Sequence, residues 1–359
     1  MSSLADALDQ LTTTSDLGIK QDDGAIRCLA CAHRCLIKPG KRGICQVRYN
    51  QNGELRVPWG YVAAANLDPI EKKPFSHFLP GSKALTFGML GCDFHCDFCQ
   101  NCISSQALKD PSLGGSVDMI QRVRSQDLVN HAVRNGAAVM ASSYNEPLIT
   151  SEWAVEIFKQ SKQAGLRCVY ISNGYGTTEV LDFLRPWLDG YKIDLKSMQK
   201  KNYREMGAVL DHVLDTILYA HKIGLWVEVV TLVIPGFNDS NEELWDSARF
   251  IASVSRDIPW HVTAFHPDYK MNDRPPTSSE SLQRAAEIGQ EAGLHYVYAG
   301  NLPGRVGSLE DTFCPKCNNL LIKRRGFSVL DYRITAEGTC PTCNSPIAGV
   351  WQRQELAAG

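Results

Sequence analysis

The placement of cysteine is the feature of this sequence that most restricts its fold and chemistry. All but one of the thirteen cysteines lie in three short groups, and the exception is Cys168. The N-terminus lacks a charged segment followed by an apolar run, and no stretch approaches about eighteen apolar residues. Neither a signal peptide nor a transmembrane helix is therefore expected. A cytoplasmic, reducing location follows, where close cysteines more often bind metal or catalyse.

The charge pattern gives no indication of a polyanionic partner. The formal net charge is −2, and no run is rich in lysine or arginine. We therefore expect neither nucleic acid nor a membrane surface as a partner. Apolar residues make up 44% of the chain, which is enough for a substantial core.

Apolar runs alternate with amphipathic helical stretches through the middle of the chain. Seven such runs predict strands: Ala84–Leu90, Ala137–Ser142, Arg167–Ile171, Tyr191–Leu195, Trp226–Ile234, His261–Phe265 and His295–Tyr298. Repeated strand–helix units indicate a parallel sheet with its site at the carboxyl ends of the strands. The predicted fold class is α/β, a partial (β/α)6 TIM-like barrel.

The composition suggests four regions. Residues 1–25 are polar and are expected to form a flexible N-terminus, and residues 26–80 form a cysteine-rich segment. The barrel is assigned to residues 81–305, and a zinc-ribbon-like module to residues 306–359.

The central cysteine group follows the first predicted strand and consists of Cys92, Cys96 and Cys99, with the spacing C-x3-C-x2-C. A cubane cluster has four irons, so three thiolates leave one iron free to bind and activate a ligand. The alternative is a structural zinc loop, but zinc sites usually pair two cysteine knuckles. We interpret the nearby Cys102 as a spare thiol.

The ordered motifs of the chain resemble the radical S-adenosylmethionine (SAM) superfamily. Phe98 precedes the last cysteine, and Cys99-Gln100-Asn101 is similar to the Cys-His-Asn of pyruvate formate-lyase activating enzymes. Further motifs end successive predicted strands: Tyr144-Asn145-Glu146-Pro147, Ser172-Asn173-Gly174, Asp194-Leu195-Lys196, Val233-Ile234-Pro235-Gly236 and Phe265-His266-Pro267. With the N-terminal and C-terminal cysteines, nearly the whole chain resembles the radical SAM enzymes of the AmmeMemoRadiSam system.

The resemblance implies a [4Fe-4S] cluster on the central cysteine group and a SAM site beside it. The residues assigned to bind the cofactor are Phe98, Asn145, Glu146, Asn173, Asp194, Lys196 and His266. Glu146 can accept a hydrogen bond from the SAM ammonium, and Lys196, oriented by Asp194, can pair with the SAM carboxylate.

Asn173 can bond the ribose or carboxylate of SAM, and His266 can contact its ribose or adenine. Local roles are the alternative for these positions. Glu146 could cap the following helix, Asp194 and Lys196 could form a strand-end ion pair, and His266 could be a wall residue.

The two remaining cysteine groups each supply four thiols. The N-terminal cysteine group, Cys28, Cys31, Cys35 and Cys45, suits zinc or a second iron–sulfur cluster, and its spacing does not decide between them. The C-terminal cysteine group consists of two knuckles, Cys314/Cys317 and Cys340/Cys343. Paired knuckles predict a structural zinc site. Cys168, inside a predicted strand, is expected to be buried.

The resemblance implies reductive cleavage of SAM to a 5′-deoxyadenosyl radical, which abstracts hydrogen from a substrate. Similarity to activating enzymes implies a protein substrate and a flavodoxin- or ferredoxin-like reductant, and similarity to the AmmeMemoRadiSam proteins implies a partner from that system. Two alternatives remain open. One is radical SAM modification of RNA or a small molecule, and the other is a non-catalytic metal-binding adaptor.

Overall fold

The structure, a computed structural model, describes residues 3–115 and 117–353. The N-terminal region contains these elements: α1 (Leu4–Asp9), β1 (Thr12–Thr14), β2 (Gly18–Lys20), β3 (Ile26–Cys28), β4 (Leu36–Ile37), β5 (Tyr49–Gln51), β6 (Glu54–Pro58), β7 (Tyr61–Val62) and β8 (Ala64–Pro69). Strands β1, β6 and β5 form one antiparallel sheet, and β2, β3 and β4 form another. The two small sheets carry the N-terminal cysteine group.

Residues 3–25, within the segment expected to be flexible, contain regular secondary structure. Helix α1 begins with a capping box in which Ser3 and Asp6 satisfy each other's backbone N–H groups. Strand β1 pairs with β6, and β2 pairs with β3. Leu8 and Leu17 are buried in the main core. This polar stretch is attached to the fold in two ways: Leu8 and Leu17 are buried in the core, and β1 and β2 pair with neighbouring strands.

The central region alternates strands and helices. Its elements are β9 (Lys83–Gly88), α2 (Cys102–Ser105), β10 (Gln121–Arg122), α3 (Ser125–Arg134), β11 (Ala137–Ser142), α4 (Ser151–Gln163), β12 (Arg167–Ser172), α5 (Thr178–Leu184), β13 (Gly190–Asp194), α6 (Lys200–Glu205), α7 (Leu210–Lys222), β14 (Trp226–Val233), α8 (Asn241–Val254), β15 (Trp260–Ala264), α9 (Ser279–Glu291) and β16 (Val297–Gly300). Short 3-10 turns occur at Ile70–Lys72, Pro111–Leu113, Val117–Met119 and Pro147–Thr150.

The main sheet confirms the predicted α/β class and all seven predicted strands. Its strand order is β16-β15-β14-β13-β12-β11-β9-β8, and its seven strands β9 and β11–β16 are parallel to one another. Six strand–helix units are followed by a seventh parallel strand, and β8 adds an antiparallel edge. In the described residues, β8 and β16 each pair with one neighbour, so the sheet stays open. Strand β8 lies in the segment assigned to the cysteine-rich region, so the sheet begins earlier than residue 81.

Helices cover the sheet because most residues of its parallel strands are apolar. All six residues of β11 are buried, as a strand between two packed layers requires. Helix α7 buries Leu210, Val213, Ile217 and Ala220, which recur on one face at helical spacing. This packing fixes where each strand ends, and therefore where the loops after the strands lie.

The C-terminal module is a small antiparallel sheet of β17 (Thr312–Phe313), β18 (Leu320–Arg325) and β19 (Ser328–Tyr332). Its core includes Tyr296 and Tyr298 from β16 and the stretch before it, so the module packs on one edge of the main sheet. Val350 exchanges backbone hydrogen bonds with the segment before β9, donating to His77 O and accepting from Leu79 N, each at 2.7 Å. Within residues 3–115 and 117–353, no helix is long and apolar enough to cross a membrane.

Candidate active site

One cavity of about 1010 Å³ lies at the carboxyl ends of the parallel strands. The position is the one that parallel α/β folds use for their sites. Ten residues proposed from the sequence for the cluster and SAM line this cavity: Cys92, Cys96, Phe98, Cys99, Asn145, Glu146, Asn173, Asp194, Lys196 and His266. They come from the ends of five strands, β9, β11, β12, β13 and β15, and the sheet brings them together.

The central cysteine group lies on the loop after β9. Cys96 is buried, and Cys92 and Cys99 are half-buried. The N–H of Phe94 donates to Cys92 Sγ at 3.4 Å, and Cys99 Sγ shares a hydrogen bond of 3.2 Å with Ser105 Oγ. Burial raises the pKa of the Cys96 thiol to about 12, although the Lys196 ammonium opposes this. A metal cation beside the thiol would favour the thiolate, as metal ligation requires.

Asp93 connects the cysteine loop to the end of β12. Its side chain is 1% exposed, and its Oδ1 accepts a hydrogen bond of 2.8 Å from Asn173 Nδ2. Its Oδ2 is buried and has no hydrogen-bond partner among the described residues. Asp93 therefore fixes Asn173 relative to the loop that carries Cys92.

Asn145 and Glu146 are held firmly by the chain itself. Asn145 Oδ1 accepts from Met89 N at 2.9 Å. Glu146 Oε1 accepts a hydrogen bond from Leu148 N at 3.0 Å, so Glu146 caps the 3-10 turn that follows it. This is the capping role considered for Glu146 as the alternative to SAM binding. Glu146 also accepts from Ser172 Oγ at 2.7 Å and from Asn173 N at 2.8 Å. Burial and the nearby Asp93 raise the pKa of Glu146 to about 8.

A lysine–aspartate–lysine cluster at the end of β13 forms another part of the cavity wall. Asp194 accepts from Lys192 Nζ through Oδ1 and from Lys196 Nζ through Oδ2, the second at 3.1 Å. Burial favours the neutral acid, but the two ammonium groups outweigh it and lower the pKa of Asp194 to about 2. Two cations share one anion, so this wall carries an excess positive charge that suits the carboxylate of a ligand.

Lys192 was missed by sequence reasoning, although a signal was present. It precedes Asp194 and Lys196 at alternate positions, and alternate residues of a strand point to the same face. A lysine inside an apolar strand is itself unusual, since lysine is almost never fully buried without a partner. The pattern Lys-x-Asp-x-Lys therefore could have identified the whole cluster.

Phe98 and His266 lie at opposite ends of the exposure range. Phe98 is 5% exposed, and its ring centroid lies 5.9 Å from Lys196 Nζ. His266 is exposed, and its Nε2 accepts from Gln100 Nε2 at 3.1 Å. His266 is therefore a rim residue next to the end of the cysteine loop.

The C-terminal module also contributes to the cavity, which sequence reasoning did not predict. The hairpin between β18 and β19 supplies Arg324, Arg325, Gly326 and Phe327 to the lining. Arg324 is anchored through bonds of 2.7 Å to Thr312 Oγ1 and 2.8 Å to Ser76 O. Phe327 is 45% exposed. The module therefore forms part of the wall that a substrate would meet.

The C-terminal cysteine group has the geometry of a single-metal site. Its four sulfur atoms lie within 4.8 Å of one another, and the pairs Cys314–Cys343 and Cys317–Cys340 are 3.6 Å apart. Four thiolates bound tetrahedrally to zinc at 2.3 Å would lie about 3.8 Å apart. The two knuckles are built alike, since Asn318 and Asn344 each have positive φ and donate a backbone bond of 2.9 Å to the first cysteine.

The remaining cysteines occupy two different environments. Cys168 is fully buried in β12, as predicted. Cys28, Cys31 and Cys45 are buried and Cys35 is half-buried. Within residues 3–115 and 117–353, the C-terminal group is the one set in which three or more metal-ligand atoms lie within 4.8 Å of one another.

The fold and the site together define an α/β protein with a three-cysteine loop at the carboxyl edge of a parallel sheet. The family model of the radical SAM superfamily matches residues 87–251. A protein of Methanocaldococcus jannaschii, MJ0808, is 36% identical over 331 residues, covering 91% of this chain and 96% of the relative. The pyruvate formate-lyase-activating enzyme of Clostridium pasteurianum is 23% identical, covering 59% of this chain and 92% of that enzyme.

A solved domain of a pyruvate-formate lyase-activating enzyme from Bacteroides vulgatus superposes with a TM-score of 0.40 and 21% identity, covering 45% of this chain and 98% of that domain. The chain belongs to the radical SAM superfamily, and it is similar to activating enzymes of pyruvate formate-lyase.

Proposed function

We propose that this protein binds a [4Fe-4S] cluster on Cys92, Cys96 and Cys99 and cleaves SAM reductively. The observation that carries this proposal is the common cavity, in which three thiols meet the polar residues that end successive strands. When bound, the cluster supplies the electron that splits SAM into methionine and a 5′-deoxyadenosyl radical, which abstracts hydrogen from a substrate.

The donor set of the central cysteine group suits a cubane cluster. Three thiols line the cavity without meeting the spacing of a single ion, and the described residues place no fourth cysteine among the lining residues. Cys102 is 9% exposed and does not line the cavity. This agrees with its interpretation as a spare thiol and leaves one iron for an external ligand.

The remaining lining residues would hold SAM. Lys196, kept in place by Asp194, can pair with the SAM carboxylate. Asn173 lines the cavity and can bond the ligand's polar groups, and its side chain is held in place by Asp93. Glu146 already accepts three bonds from the chain, so it orients the loop and retains one lone pair for the SAM amino group.

The proposed substrate is a protein segment, as in glycyl-radical activation. At about 1010 Å³ the cavity lies at the upper end of the range of small-ligand clefts, which leaves room for part of a substrate beside SAM. Activating enzymes among the relatives favour a protein substrate and a flavodoxin- or ferredoxin-like reductant. The motif resemblance favours a partner of the AmmeMemoRadiSam system.

The C-terminal cysteine group is proposed to bind zinc in a ribbon-like module. The sulfur distances support a single ion, and the four thiols fill its coordination sphere, so the ion is structural. Its effect on the active site comes through the hairpin at Arg324–Phe327.

The test uses full-length protein reconstituted without oxygen, then treated with dithionite and SAM. We expect 5′-deoxyadenosine from the wild type and none from the Cys92→Ala/Cys96→Ala/Cys99→Ala variant. Cys102→Ala is the matched control, because it removes a nearby thiol outside the cavity and should keep the activity. A wild type that holds only zinc and makes no 5′-deoxyadenosine would support the non-catalytic adaptor instead.

A further inference from the structure

A buried pair of ionisable residues, His261 and Glu228, lies at the deep end of the cavity. His261 is the second residue of β15, and Glu228 is the third residue of β14. The residues assigned to the cluster and to SAM lie mostly at or after the carboxyl ends of the strands. His261 lines the same cavity as Cys92, although only 3% of its surface is exposed. The pair therefore belongs to the cavity but not to the residues assigned to the cluster or to SAM.

Glu228 is a carboxylate that the chain holds by four hydrogen bonds. Its Oε1 accepts from His77 N and from Trp226 Nε1, each at 2.9 Å. Its Oε2 accepts from Ser76 N at 2.9 Å and from His261 Nε2 at 2.6 Å. Burial alone would raise the pKa of Glu228, but its hydrogen bond to His261 and its other contacts outweigh burial and lower that pKa. Glu228 is therefore ionised, and Nε2 of His261 carries the proton of the bond between them.

The second ring nitrogen of His261 is open to the cavity. Nδ1 has no hydrogen-bond partner among residues 3–115 and 117–353, and it is not sealed in the interior as the unpartnered Nε of Arg324 is. In the neutral ring, Nδ1 carries a lone pair because the proton is on Nε2. A carboxylate that holds one imidazole nitrogen in this way orients the other nitrogen as a general base.

His77 provides a comparison within the same network. Its Nδ1 is 2.6 Å from Ala348 O, and its Nε2 is 2.6 Å from Tyr298 Oη, so the protein uses both ring nitrogens. Burial lowers the pKa of His77 to about 4, which keeps the ring neutral. His77 is thus a core histidine that joins the segment before β9 to the C-terminal module. His261 differs because one of its nitrogens is left for a group inside the cavity.

Other polar and charged side chains surround the dyad of His261 and its carboxylate. Tyr298 of β16 stacks on the His261 ring with centroids 5.2 Å apart, and Lys192 of β13 lines the same cavity. Arg324 of the C-terminal module is within electrostatic range of His77 and Tyr298. The surroundings therefore supply an ammonium and a guanidinium group. These cations suit a proton donor that becomes an anion when it loses its proton.

We propose that His261 is a proton-transfer residue of the reaction, positioned by Glu228, and that the substrate carries an O–H or N–H group that reaches it. In this step the O–H or N–H bond breaks, the proton forms a bond with Nδ1, and the electron pair remains on the substrate atom. The imidazolium is paired with the Glu228 carboxylate, and no electron is gained or lost.

The dyad adds a requirement to the substrate. Abstraction of a hydrogen atom by a 5′-deoxyadenosyl radical needs no base, so a base in the cavity implies a separate proton transfer. The dyad itself rests on the geometry of His261 and Glu228, whereas its use beside a radical step rests on the proposed function.

The open nitrogen is tested with diethyl pyrocarbonate, which acylates the unprotonated imidazole nitrogens that it can reach. The full-length reconstituted protein is treated at neutral pH, and mass spectrometry identifies the modified histidines. We expect acylation of His261 and none of His77 in the folded protein. His295, whose side chain is 39% exposed, is the surface control and should react in every sample. A His261 as unreactive as His77 overturns the proposal.

Glu228→Gln tests the positioning role, because glutamine keeps the shape of the side chain but does not counter the charge of an imidazolium. The pH at which acylation of His261 reaches half its maximal rate should fall by about one unit or more. A folded variant with an unchanged midpoint would show that Glu228 is only structural. If the variant does not fold, the comparison of His261 with His77 in the wild type still decides whether the nitrogen is open.

Proton transfer is tested with 4-nitrophenol, a weak acid whose ionised form is yellow. In the cavity of the wild type it should be ionised at a pH at which the free probe is mostly protonated, and the absorbance change should saturate. The change should be lost in His261→Gln, which keeps a donor for Glu228, and should be kept in His295→Gln. Equal changes in the wild type and His261→Gln, or no change in either, overturn the proposal.

These measurements need neither dithionite nor SAM, so they separate the dyad from the proposed function. A reactive His261 in a wild-type protein that makes no 5′-deoxyadenosine would contradict the proposed function and leave the dyad intact. Normal 5′-deoxyadenosine formation with an unreactive His261 would do the reverse.

Discussion

The guanidinium of Arg48 pairs with the carboxylate of Glu152 through two parallel hydrogen bonds of 2.8 Å. The Arg48 side chain is 1% exposed and that of Glu152 is 9% exposed. Arg48 also donates to Ile149 O at 3.0 Å. This pair joins the segment that carries the N-terminal cysteine group to helix α4 of the main fold, so the position of that group depends on it.

Replacing one partner of this ion pair should destabilise the folded protein strongly. We expect Glu152→Gln to lower the free energy of unfolding by about 3–5 kcal/mol, because Arg48 then stays buried without a counter-charge. The measurement is chemical denaturation of the apo protein. The double variant Arg48→Met/Glu152→Met should recover much of the loss, since an apolar pair needs no desolvation of charge. A single variant as stable as the wild type would contradict this account.

The exposed pair of Arg34 and Glu179 should behave differently. Its two bonds are 2.8 and 2.6 Å long, and each side chain is 39% exposed. The hydrogen bonds from Arg34 lower the pKa of Glu179 from 4.5 to about 2. A lowered acid pKa stabilises the folded state above pH 4.5, and the gain disappears as the pH falls towards 2.

We therefore expect Glu179→Gln to reduce stability by less than about 1 kcal/mol at neutral pH, because solvent screens the pair. The difference between the wild type and the variant should vanish near the acid end of that window. Paired denaturation curves at several pH values measure it. A difference that grows on acidification would show that the sign is wrong.

Lys192 is predicted to position the charged wall of the active site. Lys192→Met leaves Asp194 with a single cation and removes one positive charge from the wall. Without Lys192, Asp194 is neutralised by Lys196 alone, so Lys196 attracts the SAM carboxylate less strongly, and SAM affinity should fall about tenfold, which corresponds to about 1.4 kcal/mol. Binding is read from the change that SAM causes in the electron paramagnetic resonance signal of the cluster.

Lys200→Met is the control for that measurement, because Lys200 pairs with Asp211 at 2.7 Å on the surface, with its side chain 63% exposed. It should leave SAM binding unchanged. Lys192→Arg should restore part of the affinity by keeping the charge. If Lys192→Met and the wild type bound SAM with equal affinity, Lys192 would have no role in SAM binding.

Loss of the C-terminal metal should loosen one wall of the cavity. We expect Cys317→Ser/Cys343→Ser to lose about one zinc per chain while the iron content stays the same. Hydrogen exchange should then rise over residues 320–332, which form the hairpin, and stay slow over buried strand β11. Unchanged exchange in the hairpin would mean that the sheet of the module holds it without the metal.

The sequence by itself determined the class of the fold and the composition of the central site. Buried parallel strands are continuous apolar runs, so the seven strands could be read directly, with ends displaced by no more than two residues. The cysteine spacing is a local property of the chain, and it identified the loop after β9 without any knowledge of the tertiary structure. The carboxyl ends of parallel strands lie at the same edge of a sheet. The motifs that follow these strands were therefore expected to face one cavity.

Only the tertiary structure decided which partners come from elsewhere in the chain. Arg48 bonds Glu152, and Phe327 of the hairpin lines the cavity, although both contacts join segments that are far apart in sequence. Periodic sequence patterns do not predict such long-range contacts. The ordered N-terminus depends in the same way on pairing of β1 with β6. The sulfur atoms of the C-terminal pairs lie 3.6 Å apart, and in the described residues this group alone gathers its thiols within 4.8 Å, although the two groups look equivalent as sequence patterns. Spacing along the chain fixes how many ligands are close, but the packing around them fixes the distance between their sulfur atoms.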